Sequence, residues 1–202
     1  MFDTALRFPV SFDDRLRTYV IGSLLIVGSI LVIPAIILIG YFTRSIGHAT
    51  AAEDPPVFGD WVGLFVDGLK LLVVALAYGV AFIALMFVTA FFGAIDDSLA
   101  IVALWGLMIP AYFGLAFLAT SILYHFSQHR SIRDAFALRT IARTAASLRY
   151  VLVIVLWMLV LPLIFTILQL VLTITIVGIL LVPATLLYEL LMYANLVGSI
   201  EG

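Results

Sequence analysis

The chain has 202 residues, of which 65% are hydrophobic and 11% charged, with a mean hydropathy of +1.27 and a net charge of −2. A soluble domain carries roughly a quarter charged residues, so a water-solvated globule is excluded. The lack of cysteine removes disulfides, thiolate nucleophiles, iron–sulfur clusters and Cys-type zinc sites, and no basic tail or aromatic-basic interleaving suits nucleic acid.

The N-terminus opens on an amphipathic stretch, Phe8-Pro9-Val10-Ser11-Phe12-Asp13-Asp14-Arg15. The apolar run that follows Arg17 is too long for a signal core, so no cleavable export signal is expected and the first helix stays as an anchor. That run, Thr18 to Thr43, is uncharged and admits two readings. As one helix it gives five crossings. Alternatively, residues 12 to about 30 form one helix and Pro34 opens a second, which continues through Arg44 toward His48.

After it, residues 57 to 70 form the clearest amphipathic helix. At 100° per residue Val57, Phe58, Trp61, Val62, Leu64, Phe65 and Leu69 share one face, and Gly59, Asp60, Gly63, Asp67 and Lys70 the other. The expectation is a surface helix in the interface plane, with Asp60 capping its start and Trp61 and Phe65 as anchors at headgroup level. Docking of another protein is the alternative use of this face. The runs Leu71 to Ile95 and Ser98 to His129 each exceed the roughly 20 apolar residues that a helix needs to span the hydrocarbon. Ala75 with Gly79, and Gly106 with Pro110 and Gly114, are small residues at a spacing that permits close helix contacts.

His125 and His129 lie four residues apart at the end of the third run. That spacing can clamp a metal, but only Asp134 is near enough in sequence to help, so no metal site is expected. Arg130, Arg133, Arg139, Arg143 and Arg149 follow in an Ala-rich helical stretch. Leu138, Ile141, Ala142, Ala145 and Leu148 occupy one side of it, and Arg133, Arg139, Thr140, Arg143, Thr144 and Ser147 largely the other. These arginines hold the loop in the cytoplasm and are candidates to contact anionic lipid headgroups or an acidic protein. Asp134 is placed to pair with Arg130 or Arg133.

The last run, Tyr150 to Tyr188, is long enough for two crossings. Glu189 falls near the middle of the final helix, expected over about Gly178 to Ser199. An ionised carboxylate facing lipid there would cost several kcal/mol, so it must face protein or water, or carry a proton. Thr185, Tyr188, Glu189, Met192, Asn195 and Ser199 lie within an arc of about 120° and make a polar stripe. The stripe is either part of an ion or proton path titrating at Glu189, or a packing device bonded to Tyr188, Tyr78 or Gln169.

Continuous apolar runs mean helices and not a barrel, since lipid leaves no partner for open backbone groups. The expected fold is all-α, a polytopic membrane bundle forming one domain over residues 1–202. Five crossings leave seven basic residues inside and Arg7, Arg15 and Arg17 outside. Six crossings, arranged as three hairpins, put all ten in the cytoplasm with both termini, opposite Asp96 and Asp97. The positive-inside rule favours six. Ile33-Pro34-Ala35, Ile109-Pro110-Ala111 and Val182-Pro183-Ala184 recur near the expected starts of the returning helices. Each hairpin also follows an interfacial lead-in segment: Pro9 to Asp13, Pro56 to Asp60 and Ser131 to Asp134. Weak repeats over 9–50, 56–126 and 131–200 follow from this.

The sequence Gly59-Asp60-Trp61-Val62-Gly63-Leu64-Phe65-Val66-Asp67-Gly68-Leu69-Lys70 resembles the signature of a multi-pass membrane family frequent in archaea, the domain of unknown function 4013. Phe8-Pro9 through Asp13-Asp14, Ile33-Pro34, Gly40-Tyr41 with Arg44, and the stretch around Asp134-Ala135-Phe136 are similar to it as well. The resemblance implies a polytopic helical membrane protein and transfers no catalytic residues. Glu189 lies outside its motifs.

No Gly-Lys-Ser/Thr loop, G-x-G-x-x-G or Ser-His-Asp arrangement is present. No catalytic residues and no cofactor are expected. The reading is a non-enzymatic structural or accessory component of the cell membrane, partnered by lipids and by other membrane proteins or copies of itself. The alternatives are a transporter or channel built on the Glu189 stripe and a membrane-embedded lipid-modifying enzyme.

Overall fold

The computed structural model describes residues 2–11, 14–95, 98, 101–102 and 104–200. Phe12, Asp13, Asp96 and Asp97 lie outside the described residues. The protein is all-α, 87% helical, with no strand among the described residues. Helix α1 (Phe2–Arg7) and a 3-10 turn (Phe8–Val10) precede α2 (Arg15–Val27). The first apolar run is divided. Residues Gly28–Ile30 tighten into a 3-10 turn, Leu31 is extended at φ −89° and ψ 142°, and α3 (Val32–Thr50) begins at once. Pro34 sits in the first turn of α3, where a proline removes no helical hydrogen bond. Tyr19, Leu25 and Ile26 of α2 pack in one cluster with Ile37, Leu38 and Tyr41 of α3.

The expected in-plane surface helix is not a separate element. Residues 61–95 form one helix, α4 (Trp61–Ile95), of 35 residues. At 1.5 Å per residue it is about 52 Å long, some 20 Å more than the hydrocarbon core. Its first ten residues carry the charges and account for much of that excess. Its orientation departs from the expectation in part: Asp67 and Gly68 of the expected polar face are buried together with Phe58 and Leu64 of the apolar face, whereas Val62 and Leu69 are exposed. In lipid this is the favourable sense, because apolar side chains lose nothing on the outside and a charge must find its partner within.

A π-turn (Leu104–Met108) leads into α5 (Ile109–His129), with Pro110 in its opening turn. Helix α5 ends on Arg130 in the left-handed conformation, φ 50°. The Arg-rich stretch is three short pieces and not one helix: a 3-10 turn (Asp134–Phe136), α6 (Leu138–Ala145) and α7 (Leu148–Val155). Ser147 breaks it by accepting from the Tyr150 amide as an N-cap. A π-turn (Leu156–Val160) joins α7 to α8 (Leu161–Thr173). Thr175 caps α9 (Ile176–Gly198) by accepting from the Gly178 amide at 2.9 Å. Pro183 lies inside α9, two turns past its start, so the third Pro-Ala step does not open a helix as the first two do.

Helices α3, α4 and α9, and the helical span Leu104–His129, are long and apolar enough to cross a membrane; α8 is shorter but apolar. Side chains such as Ile30, Ile176 and Leu180 stand 93%, 83% and 75% exposed, a surface suited to lipid tails. The second half of α9 is the hub. Leu187, Leu191, Met192, Ala194, Leu196 and Val197 are almost fully buried against α2, α3, α8 and the N-terminal turns. Tyr188 donates to the Leu6 carbonyl at 2.7 Å, and the Tyr193 and Thr120 hydroxyls meet at 2.7 Å.

Close helix contacts within the chain do not use Gly79, Gly106 or Gly114. A Cβ on Gly79, Gly106 or Gly114 would meet nothing within 4 Å. Close contacts are made at Gly22 against Leu187, at Gly198 against Ala49 and Thr50, and, most tightly of these, at Gly40 and Gly68. A Cβ on Gly40 would collide with the Leu64 carbonyl, and one on Gly68 with the Ile36 carbonyl. Helices α3 and α4 therefore touch backbone to backbone, as small residues at a membrane helix interface allow.

Candidate functional site

That backbone contact places Arg44, one turn beyond Gly40, beside the start of α4. Its Nε donates to Asp67 Oδ2 at 2.8 Å and its Nη2 lies 3.0 Å from Asp60 Oδ2. Arg130, at the end of α5, adds Nη1 to Asp67 Oδ2 at 3.4 Å, and Lys70 Nζ stands 4.0 Å from Asp67 Oδ1. The Asp67 side chain is 7% exposed and that of Arg44 16%, so the central pair is largely removed from water. Arg130 and Lys70 are half exposed and contribute less. A planar guanidinium suits this place because its fork reaches two carboxylates at once. Gly63 makes the space: a Cβ there would strike both the Asp60 carboxylate and the Arg44 guanidinium.

Asp60 also caps α4, since its Oδ1 accepts from the Gly63 amide at 3.0 Å. That amide first, and then the Arg44 guanidinium, hold its carboxyl below the ordinary carboxylate range. With a lowered folded value, the stability Asp60 contributes is present above the ordinary carboxylate range and is lost as pH falls through the lowered value. Phe58 stacks on Tyr41 at 4.1 Å between ring centroids, and Trp61 stacks on Phe58 at 5.9 Å. The segment leading into α4 is thus fastened to α3. Trp61 is partly exposed and Phe65 half-buried.

The polar stripe of α9 is divided among three surroundings. Thr185 and Tyr188 line an apolar groove with Tyr19, Phe165 and Leu172. Thr185 donates to its own helix at the Val182 carbonyl. Glu189 lines a cavity of about 430 Å³ with Ile26, Leu38, Phe42, Trp157, Leu186, Leu190 and Tyr193. Its Oε2 accepts from Gln169 Nε2 at 3.5 Å, which matches one of the three partners expected. Tyr78, another of them, donates instead to the Ala135 carbonyl at 2.8 Å. Asn195 and Ser199 line a third space, a cavity of about 650 Å³ by the N-terminal turns, with Arg7, Asp54 and Arg149 among its walls.

A family described as a protein of unknown function, DUF4013, matches residues 23–177. The chain belongs to this family. No curated protein and no solved structure matches it. The DUF4013 match spans Gly40, Arg44, Asp60, Gly63, Asp67, Gly68 and Arg130, the whole of the ion cluster and its glycines. It stops short of Thr185, Tyr188, Glu189, Asn195 and Ser199. The motifs that carried the resemblance, Gly40-Tyr41 with Arg44 and the Gly59 to Lys70 signature, are brought together in a single contact. The spacing of Gly40 and Arg44 against Asp60, Asp67 and Gly68 was the available signal for it. An amphipathic wheel drawn for a water-facing helix hid that signal by placing Asp67 outside.

Elsewhere in this DUF4013 chain the histidines are separately engaged. His129 Nδ1 lies 3.2 Å from Asp134, and His125 Nε2 meets the Thr144 hydroxyl at 2.9 Å. Asp134 thus pairs with a histidine and not with Arg130 or Arg133, because Arg130 is drawn to Asp67. His48 Nδ1 meets the Asp54 carbonyl at 2.9 Å. Among the described residues no group of three His, Asp or Glu is placed to hold a metal. Arg139 and Arg143 line a small cleft with Thr140, while Arg133 and Arg149 are exposed. Of the five arginines, Arg130 is drawn into the ion cluster, and Arg133, Arg139, Arg143 and Arg149 are exposed.

Proposed function

We propose that this protein crosses the cell membrane six times, with both termini and the ion cluster at the cytoplasmic face, and serves as a non-enzymatic structural or accessory component. The crossings are α2, α3, α4, the span ending in α5, the combined α7 and α8, and α9. The observation that carries this reading is the use made of the family signature. Its charged residues are bonded to one another in a clamp across α3, α4 and α5, and the polar pocket of about 300 Å³ beside it has the clamp's Arg44 and Arg130 in its wall, already engaged with Asp60 and Asp67. The division of the α9 stripe into three separate surroundings supports it further, since a conduction path needs polar groups in one continuous channel. Arg139 and Arg143, exposed on α6, are suited to anionic headgroups.

Topology is testable because the chain has no cysteine. Single cysteines at Thr4, Ala52 and Ser131 should react with an impermeant maleimide from the cytoplasmic side only, and those at Ser29 and Ile174 from the opposite side only. Reaction of Thr4→Cys and Ala52→Cys from opposite sides would restore five crossings. The role is tested in proteoliposomes by proton and alkali-cation flux. Flux no greater than in protein-free vesicles is expected, and a robust flux abolished by Glu189→Gln would replace the structural reading with a transporter.

A further inference from the structure

Glu189 has a setting that a packing role leaves unexplained. Its carboxylate is half-buried in a cavity whose other lining residues are Ile26, Leu38, Phe42, Trp157, Leu186, Leu190 and Tyr193. None of these carries a charge. Among the described residues no Lys, Arg or His comes within ion-pair distance of Glu189, and its hydrogen bond from the neutral Gln169 amide is long, at 3.5 Å. A carboxylate at membrane depth then calls for a proton or a cation. One wall of the cavity is an aromatic stack. Tyr193 lies 3.7 Å from Trp157 and 5.5 Å from Phe42 between ring centroids, near parallel to both. Tyr193 is further fixed through its hydroxyl at Thr120.

We propose that this cavity binds the head of a net-cationic amphiphile, an alkylammonium entering from the bilayer, with Glu189 as counter-ion and the rigid aromatic stack as the wall beside it. The lining selects this class. A hydrated metal ion needs several oxygen ligands, and here one carboxylate faces apolar walls. A zwitterionic phospholipid brings a phosphate, for which no lining residue supplies a basic side chain. An alkylammonium satisfies the carboxylate, and its tail matches Leu186, Leu190, Ile26 and Leu38. At about 430 Å³ the space lies within the range of small-ligand sites. This goes beyond the structural role and does not depend on it.

The chain has three tryptophans, so replacing Trp61 and Trp105 by Phe leaves Trp157 as the reporter. In micelles of an uncharged maltoside detergent, a spin-labelled alkyltrimethylammonium should quench Trp157 at a concentration at least tenfold below that of the same chain ending in a hydroxyl. A phosphocholine analogue should behave like the alcohol. In Glu189→Gln the tenfold preference should vanish. Equal quenching by cation and alcohol with Glu189 in place, or a preference that survives Glu189→Gln, would overturn the proposal. Gln169→Leu guards against misfolding of that variant. It removes the amide and keeps the carboxylate, so the cation preference should persist or grow, and its loss would equally overturn the site.

Discussion

Replacing Gly40 by Ala should destabilise the protein by roughly 3 kcal/mol or more, seen as a lowered midpoint in thermal or SDS unfolding of the detergent-solubilised chain. The added Cβ would fall within the van der Waals shell of the Leu64 carbonyl, and that carbonyl belongs to α4 backbone, which cannot rotate away as a side chain can. Gly68→Ala should act alike through the Ile36 carbonyl. Both methyls press on the same interface, so the double variant should lose clearly less than the sum of the two. Once the first has driven α3 and α4 apart, the second finds room. Gly79→Ala, on the same helix with nothing within 4 Å, is the matched control and should change little.

Arg44→Ala should cost about 3 kcal/mol, near the lower end for breaking a buried pair. Asp67 would be left desolvated, 5% exposed as a residue, with only the partly exposed Arg130 and Lys70 near it. Arg44→Lys should recover only part of the loss. An ammonium can approach one carboxylate at a time, whereas the guanidinium reaches Asp67 through Nε and Asp60 through Nη2. Unfolding midpoints of the three proteins in one detergent decide this. A fully stable Arg44→Lys would show that charge alone suffices and that the two-carboxylate geometry is incidental.

The consequence for the fold is that the clamp and the glycine contact are one device. Burial of Arg44 and Asp67 requires the helices to be close, and closeness requires Gly40, Gly63 and Gly68. The first ten residues of α4 thereby join the bundle in place of lying flat on the membrane. The burial of Asp67 beside Phe58 and Leu64 has the same origin. Periodicity identifies two faces of a helix but not which residues of each meet a partner inside.

Composition, hydropathy and the placement of ten basic residues were enough for an all-α chain of long apolar helices and for the break in the first run near Pro34. These follow from local properties: a run length against bilayer thickness, and a proline that costs no hydrogen bond in a first turn. The resemblance carried by Gly59 to Lys70 was likewise readable, and the family match bears it out. What needed the folded chain were relations between distant residues. Asp67 meets Arg44 and Arg130 across separations of 23 and 63 positions, and Gln169 meets Glu189 across 20. The α9 stripe was legible as an arc on one helix, but its division among three surroundings depends on which neighbours cover each turn. Helix formation is dictated along the chain because backbone hydrogen bonds close within four residues; the pairing of charges and the shape of cavities are set by packing, which no local pattern encodes.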